Sequence, residues 1–264
     1  MRIDGGSRVY ALLGDPVAHS LSPVMYNAAF RAMGVDAVYV ALRCQAAAVP
    51  ALMETLARQG GGGNVTIPHK EAAATVVGTG RVPGICNTFW GNNGRIEGAE
   101  TDSEGILAAL DRLDSPTGTW CVIGTGGSAR ATLIAAARRR AAVAVRSRTP
   151  GRATEFARLA QAMGVELAEA DACTVVINCT PLGLEDHDPV PVSPAEVPAA
   201  EVALDLVYRR NETAWVRAMR AAGRRAADGR EVLVEQGIAA YRRWFPGGAA
   251  PEEVMRAAVR TALA

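Results

Sequence analysis

The sequence predicts an α/β protein of two domains, and three observations support this. Short β-type runs alternate with alanine-rich helical stretches almost from end to end, which is typical of largely parallel sheets. The 264 residues suffice for two domains, each with its own core. A second series of strands and helices begins after Ser115-Pro116. We therefore expect residues 1–102 and 233–264 to form one domain and residues 103–232 to form the other.

The first predicted strand and helix follow from local signals near the N-terminus. Residues 9–13 form an apolar run that ends in the turn Gly14-Asp15-Pro16. A helix is expected to begin near Ser22-Pro23, because serine suits the capping position and proline suits the first helical position.

The same alternation predicts the other elements of the first domain. They are a strand at 37–42, a helix at 46–59, a strand end at 64–66 after four glycines, and a hairpin around 91–94. Pro68 is expected to open the helix that carries Lys70. The last stretch, residues 232–264, is helical in pattern and is interrupted at 245–248.

The second domain is a regular alternation of strands and helices. Strands are predicted at 120–123, 143–146, 175–178 and 202–205, and helices at 103–113, 128–140, 154–163 and 213–222. This order is typical of βαβ units around a parallel sheet.

Composition and charge argue against several classes of partner. Acidic and basic residues nearly cancel, at a formal net charge of +1, so we expect neither nucleic-acid nor membrane binding. The run Arg138-Arg139-Arg140 falls at a predicted helix end, where cations are favourable. The five cysteines have no C-x-x-C spacing, which argues against a metal site and a disulfide framework. With a polar N-terminus and no long apolar run, the protein is expected to be cytoplasmic.

Lys70 is the only lysine in a chain with 28 lysine and arginine residues. Arginine can replace lysine as a cation but cannot release a proton near neutral pH, so the retained lysine is a candidate for proton transfer. His19 and His69 are the rival acid–base groups. We interpret His19 as structural within its turn and His69 as a helix-start residue that points elsewhere.

A glycine-rich turn precedes the helix predicted at 128–140. Gly124, Gly126 and Ala129 have the spacing G-x-G-x-x-A, directly after the apolar strand 120–123. The first glycine makes a tight turn, the second admits a pyrophosphate, and the small third residue lets the helix pack on the strand. The helix N-terminus adds amide donors for phosphates. The segment predicts a Rossmann-type dinucleotide-binding domain.

The end of the next strand indicates which dinucleotide binds. After residues 143–146 the chain continues as Ser147-Arg148-Thr149, where an NAD-specific fold would place a carboxylate. Arg148 and Arg152 can instead hold a 2′-phosphate through charge-assisted hydrogen bonds. NADP(H) is therefore the predicted cofactor.

Ordered motifs along the chain resemble those of shikimate dehydrogenases. They are Gly14 to Pro23, Gly63 to Lys70, Asn87-Thr88, Thr101-Asp102, Gly124 to Ala131, Ser147-Arg148-Thr149, Asn178 to Gly183, Asp205 to Tyr208 and Gly229 to Gln236. The resemblance spans almost the whole chain. It implies a substrate-binding N-terminal α/β domain, and the NADP-dependent reduction of 3-dehydroshikimate to shikimate on the pathway to aromatic amino acids, by a monomer or homodimer.

The resemblance also implies roles for individual residues. Lys70 and Asp102 match the catalytic pair: reducing a ketone by hydride builds negative charge on its oxygen, which an ammonium stabilises and then protonates. The residues matched to substrate binding are Ser20 and Ser22 on the carboxylate, Asn64, Thr66, Asn87 and Gln236 on ring hydroxyls, and Tyr208. The residues matched to the cofactor are Gly124, Gly126, Gly127, Ser128, Ala129, Ser147, Arg148, Thr149, Arg152, Thr180 and Gly229.

The chain departs from the family pattern at several positions. Tyr26 stands where family members usually have histidine, and Glu100 stands where they have asparagine. A carboxylate at Glu100 either faces the substrate beside Asp102 or lies at a strand end away from it. The alternative functions are a relative that acts on quinate or an aminoshikimate, and a nucleotide-binding protein that has lost turnover.

Overall fold

A computed structural model describes residues 3–78 and 82–264, and the chain divides into two compact units. The terminal unit comprises Met1–Thr101 and Gln236–Ala264, and the inserted unit comprises Asp102–Glu235. The sequence predicted the two divisions after residues 102 and 232.

The strands and helices alternate along the chain. The strands are β1 (Arg8–Gly14), β2 (Ala37–Arg43), β3 (Gly62–Val65), β4 (Thr88–Asn92), β5 (Arg95–Ala99), β6 (Trp120–Ile123), β7 (Val143–Arg146), β8 (Val175–Asn178), β9 (Val202–Asp205) and β10 (Arg225–Ala227). The helices are α1 (Ser22–Ala32), α2 (Val49–Arg58), α3 (Lys70–Val77), α4 (Asp102–Arg112), α5 (Gly127–Arg139), α6 (Pro150–Ala162), α7 (Ala214–Ala221), α8 (Arg230–Trp244) and α9 (Glu252–Leu263). The predicted α/β class is confirmed.

The terminal unit is built on one mixed sheet with the strand order β2-β1-β3-β4-β5. β1 pairs in parallel with β2 and β3, whereas β3-β4 and β4-β5 are antiparallel. The predicted hairpin is confirmed, because Asn93 and Gly94 both have positive φ, at 49° and 74°, as a tight two-residue turn requires. An apolar core that includes Met53, Val65 and Phe89 lies on this sheet.

Both ends of the chain contribute to the terminal unit. Helix α9 packs on α1, and the Tyr26 hydroxyl of α1 donates to the carbonyl of Gly237 in α8, at 3.3 Å. A Cβ added to Gly237 would lie 2.3 Å from Cε of Met25, so α1 and α8 make close contact at this glycine. Residues 3–101 therefore share one core with residues 236–264.

Three helix starts in the terminal unit differ from prediction. Ser22 is the first residue of α1 and not its cap, because Leu21 already has helical angles and the Ser20 hydroxyl accepts the Ser22 N–H at 3.2 Å. Pro68 lies in a turn before α3, since the His69 N–H bonds back to the Thr66 carbonyl at 2.8 Å. The helix predicted at 46–59 begins as a 3₁₀ turn at Ala46–Ala48.

The inserted unit is a parallel sheet with the strand order β10-β9-β8-β6-β7. Its four predicted strands are confirmed residue for residue. β10 was not predicted, because it is a three-residue edge strand with little apolar character. α6 begins at Pro150, four residues before the predicted start at 154, with proline in its first turn. Cys121, Val176 and Trp215 are in the core of this unit.

Within the part of the chain that the structure describes, no helix combines the length and the apolar character needed to cross a membrane.

Candidate active site

Two serines stand together at the start of α1. The Ser20 hydroxyl donates to the Ser22 hydroxyl at 3.2 Å and accepts the Ser22 backbone N–H at the same distance. Ser22 is buried and Ser20 is half-buried. The pair thus offers two adjacent hydroxyls near a helix N-terminus, where an anionic group is favoured.

A buried network of amides and hydroxyls joins β3, the start of β4 and the start of the C-terminal segment. Nδ2 of Asn64 donates to the Asn87 carbonyl at 3.1 Å and to the Thr88 hydroxyl at 3.0 Å. Nδ2 of Asn87 donates to the Thr101 hydroxyl at 2.9 Å and to Oε1 of Gln236 at 3.4 Å. The structure therefore brings Asn64, Asn87 and Gln236 together, although 149 positions separate the last two along the chain.

Thr66 is fixed through its backbone. Its N–H donates to the Leu13 carbonyl at 2.8 Å, and its carbonyl accepts from His69. A Cβ on Gly14 would lie 2.3 Å from Cγ2 of Thr66, so only glycine at position 14 allows this approach. The Thr66 side chain is half-buried.

Lys70 is the first residue of α3, and it is buried, with 9% of its surface exposed. Its carbonyl accepts the N–H of Cys86 at 2.9 Å, which ties the start of the helix to the segment before β4. Nε2 of His69 lies 2.8 Å from the Cys44 carbonyl and donates to it, so this ring is engaged with the backbone. His19 is exposed in the turn that the Ser20 N–H and the Val17 carbonyl close at 3.1 Å.

Glu100 lies between β5 and α4 and is buried, at 5% exposure. Its two neighbours in sequence both bond to Asn87: the Ala99 carbonyl accepts the Asn87 N–H at 3.2 Å, and the Thr101 N–H donates to Oδ1 of Asn87 at 2.7 Å. Glu100 therefore lies between two residues that hydrogen-bond to Asn87, and it is not exposed to solvent at the end of the strand. Asp102 is the first residue of α4 and is half-buried, where its charge complements the helix dipole.

The predicted glycine turn connects β6 to α5 in the inserted unit. Gly124 has a φ of +108°, which favours glycine, and an added Cβ would lie 3.0 Å from Cγ2 of Thr180. Gly126 caps α5 and has open space where a Cβ would stand. Ala129 is fully buried, as helix–strand packing in this motif requires. Gly127 and Ser128 are the first two residues of α5. Their backbone N–H groups therefore lie at the N-terminus of the helix, where the helix itself provides no acceptor.

A cavity of about 300 Å³ opens beside this turn. Thr125, Gly126 and Arg130 line it from the turn and α5, and Arg152, Glu155, Phe156 and Leu159 line it from α6. The two arginines outnumber the single carboxylate of Glu155, and together with the open space at the glycine turn they suit a phosphate-bearing dinucleotide. Arg130 was missed from the sequence, although it directly follows the G-x-G-x-x-A spacing and lies one turn into α5.

Arg148 is exposed in the loop between β7 and α6. The Ser147 hydroxyl accepts the Thr149 N–H at 3.2 Å, and Thr149 in turn caps α6. Arg152 follows in the first turn of that helix. The four predicted residues therefore form one continuous loop and helix start, and Arg152 is the member that lines the cavity.

Thr180, Tyr208 and Gly229 follow β8, β9 and β10 in turn. The Gly229 N–H donates to the Val207 carbonyl at 3.0 Å, and a Cβ on Gly229 would lie 2.4 Å from the Leu206 carbonyl oxygen. The glycine therefore allows the segment after β10 to pack on the segment after β9. Tyr208 is half-buried in that segment.

Asp205 ends β9 and is fully buried. Burial raises the pKa of its carboxyl from an ordinary 3.8 to about 6, and the negative charge of Asp228 contributes to the rise. Hydrogen bonds from Thr213, Val207 and Asn178 oppose that effect. Asp205 begins one of the motifs that resemble the family, but the sequence predicted no role for it in the site.

Comparison with known proteins matches both ends of the chain to family models. Residues 12–88 match the shikimate dehydrogenase substrate binding domain, and residues 229–260 match the shikimate 5′-dehydrogenase C-terminal domain. A shikimate dehydrogenase (NADP(+)) of Methanothrix thermoacetophila is 41% identical over 97% of this chain and 98% of its own length. One of Symbiobacterium thermophilum is 37% identical over 98% and 96%.

Solved structures agree. A shikimate 5-dehydrogenase of Thermus thermophilus, in complex with NADP(H) and shikimate, superposes with a TM-score of 0.86 at 34% identity, over 97% of this chain and 99% of that one. A shikimate dehydrogenase of Aquifex aeolicus gives 0.86 at 31% identity, over 98% and 100%. With such similarity along nearly its full length, the chain belongs to the shikimate dehydrogenase family.

Proposed function

We propose that the protein catalyses the reversible, NADPH-dependent reduction of 3-dehydroshikimate to shikimate. The observation that carries the proposal is the buried network in which Asn64, Asn87 and Gln236, three residues of the family motifs, converge within one unit. A small polyhydroxylated ring needs a hydrogen-bonding partner for each hydroxyl, since an unpaired buried group lowers affinity and discrimination. Amides supply both donors and acceptors for this task.

The carboxylate of the substrate binds at the two serines. Ser20 and Ser22 present hydroxyls 3.2 Å apart beside the N-terminus of α1, which suits a carboxylate. Thr66 adds a hydroxyl after β3, and Tyr208 is the remaining residue that the family motifs match to substrate binding. The buried serine and the network supply hydrogen bonds rather than a large apolar surface. The enzyme should therefore select its substrate by the positions of the hydroxyl groups on the ring.

The dinucleotide binds in the inserted unit. The turn at Gly124 and the amides of Gly126 to Ala129 hold its pyrophosphate, and Arg148 and Arg152, with Ser147 and Thr149, hold its 2′-phosphate. Thr180 and Gly229 line the remainder of the cofactor site. When bound, NADPH supplies the hydride.

Lys70 provides the proton. Its ammonium stabilises the negative charge that develops on the carbonyl oxygen and then donates a proton to that oxygen. Asp102, the other residue matched to the family's catalytic pair, is assigned the role of orienting the ammonium. In the reverse direction the same nitrogen accepts the hydroxyl proton, which arginine cannot do near neutral pH.

The test is a steady-state assay of NADPH oxidation with 3-dehydroshikimate, quinate-type and aminated analogues as substrates. We expect the highest kcat/KM with 3-dehydroshikimate and NADPH. A higher value for an aminated ring would identify an aminoshikimate enzyme and give Glu100 a role in selectivity. NADPH binding without turnover of any analogue would indicate a nucleotide-binding protein. We also propose a cytoplasmic monomer or homodimer, which sedimentation of the purified protein distinguishes.

A further inference from the structure

Asp205 is a buried carboxyl group that the proposed chemistry does not use. It is 0% exposed and ends strand β9, which lies between β10 and β8 in the sheet of the inserted unit. Burying a carboxylate is unfavourable unless hydrogen bonds compensate, so its partners define its role. These partners belong to three separate segments of the inserted unit.

The first partner is Asn178, at the end of β8. Nδ2 of Asn178 donates to Oδ1 of Asp205 at 2.8 Å. The amide oxygen of Asn178 then accepts both the backbone N–H and the hydroxyl of Thr180, at 3.0 and 2.7 Å. Thr180 in turn lies against Gly124 of the glycine turn, where an added Cβ would meet its Cγ2 at 3.0 Å. One chain of contacts therefore runs from Asp205 to the glycine turn.

The second partner is Val207, two residues further on. Its N–H donates to the same Oδ1 of Asp205, at 3.1 Å, and this shapes the turn that carries Tyr208. The Val207 carbonyl accepts the N–H of Gly229 at 3.0 Å. A second chain of contacts therefore runs from Asp205 to Gly229.

The third partner has a different character. The Thr213 hydroxyl donates to Oδ2 at 2.7 Å and also accepts the Val216 N–H at 3.2 Å, so Thr213 caps α7. This bond supports the fold of the helix but leads to none of the proposed cofactor or substrate residues. The two carboxylate oxygens thus have different partners. Oδ1 bonds to residues that lead to the proposed cofactor site, and Oδ2 bonds to the residue that caps α7.

We propose that Asp205 is a positioning residue that holds Thr180 and Gly229 in the geometry that binds NADPH, through Asn178 and Val207. This inference rests on the proposed function. It assigns the two Oδ1 hydrogen bonds to cofactor binding and the Oδ2 hydrogen bond to stability.

The experiment measures the equilibrium Kd for NADPH by fluorescence titration, beside urea unfolding, for four variants of the full chain. Asp205→Leu removes both acceptors and should raise Kd about tenfold or more. Asp205→Asn keeps one oxygen for Asn178 and Val207 and can turn its amide towards Thr213, so Kd should stay within about threefold. Thr213→Val should lower the urea midpoint and leave Kd within about threefold.

Asn178→Ser is the second route if Asp205→Leu does not fold. The shorter side chain cannot span from Asp205 to Thr180 while the Val207 and Thr213 bonds remain, so Kd should again rise about tenfold. An unchanged Kd in the folded Asp205→Leu protein, or in Asn178→Ser, would overturn the inference. So would a rise in Thr213→Val equal to that in Asp205→Leu. Absence of NADPH binding by the unmodified protein would instead refute the proposed function.

Discussion

At the scale of single residues, side chains that look alike in the sequence differ in their contacts in the structure. Lys70 starts a helix that is tied to the polar segment through its own carbonyl, and His69 beside it is engaged with the Cys44 carbonyl. Arg130 and Arg152 line the same cavity, whereas Arg158 of the same helix as Arg152 is exposed elsewhere. Substitution of Lys70 and substitution of the two arginines that line the cavity should therefore affect different kinetic constants.

Replacing Lys70 tests the proton-transfer role. Lys70→Met should lower kcat by roughly 10²- to 10⁴-fold, as loss of a general acid does, while NADPH affinity and folding stay near normal. Lys70→Arg should recover little of the rate, because a guanidinium keeps the charge but not the exchangeable proton. Stopped-flow measurement of NADPH oxidation gives the rates. Near-normal turnover by the arginine variant would exclude this role for Lys70.

Removing the arginines tests the choice of cofactor. Arg148→Ala and Arg152→Ala should each raise KM for NADPH far more than KM for NADH, since only NADPH carries a 2′-phosphate. Arg130→Ala should act in the same direction, because Arg130 lines the same cavity as Arg152. Arg158→Ala is the matched control and should change neither constant. Equal use of both cofactors by the unmodified protein contradicts the assignment.

At the scale of elements, the sequence predicted best those segments whose residue types favour the same structure that burial in the folded unit favours. Strands β6, β7, β8 and β9 of the inserted unit each begin with three consecutive apolar residues, and their ends were predicted without error. Helix starts were harder to predict. Ser22 and Pro68 both have the residue type of a helix start, yet the Ser22 N–H bonds back to the Ser20 hydroxyl and the His69 N–H bonds back to the Thr66 carbonyl, so each helix begins one or two residues away from the predicted position. Asp205 lies within one of the family motifs but was given no predicted role, because its hydrogen-bond partners Asn178 and Thr213 come near only on folding.

The glycine turn gives a prediction at this scale. Gly126→Ala should leave the free energy of unfolding within about 0.5 kcal/mol, because a Cβ there meets no atom within 4 Å and the backbone φ of −86° suits alanine. The same methyl group would occupy the approach of a pyrophosphate, so the Kd for NADPH should rise about tenfold or more. Gly94→Ala, also in open space but at a φ of +74°, is the control. It should lower stability by about 1 kcal/mol without affecting Kd. An unaltered affinity of Gly126→Ala for NADPH would mean that no phosphate group binds close to Gly126.

At the scale of the whole molecule, the stability of the fold depends on pH through Asp205. Its pKa rises from 3.8 to about 6 on folding, mainly because of burial and with a contribution from Asp228. A carboxyl whose folded pKa is raised contributes stability that is fully present below 3.8 and is lost as pH rises through about 6. Two pKa units correspond to about 3 kcal/mol.

Asp205→Asn removes that dependence. Relative to the unmodified protein, the free energy of unfolding of the variant should improve progressively between pH 4 and pH 7, by up to about 3 kcal/mol. Urea unfolding curves at one-unit pH intervals provide the comparison. Parallel pH profiles for the two proteins would show that the carboxyl titrates alike in the folded and unfolded chains.

The divided terminal unit has a consequence for synthesis on the ribosome. Its first segment emerges early but shares its core with α8 and α9, which are made after the strands of the inserted unit. The inserted unit has all its strands once residue 227 has emerged. The usual order, in which the N-terminal domain folds first, is therefore reversed: in nascent chains the inserted unit should become protease-resistant before the segment that precedes it, and the unit that carries Lys70 should close only after α9 has emerged.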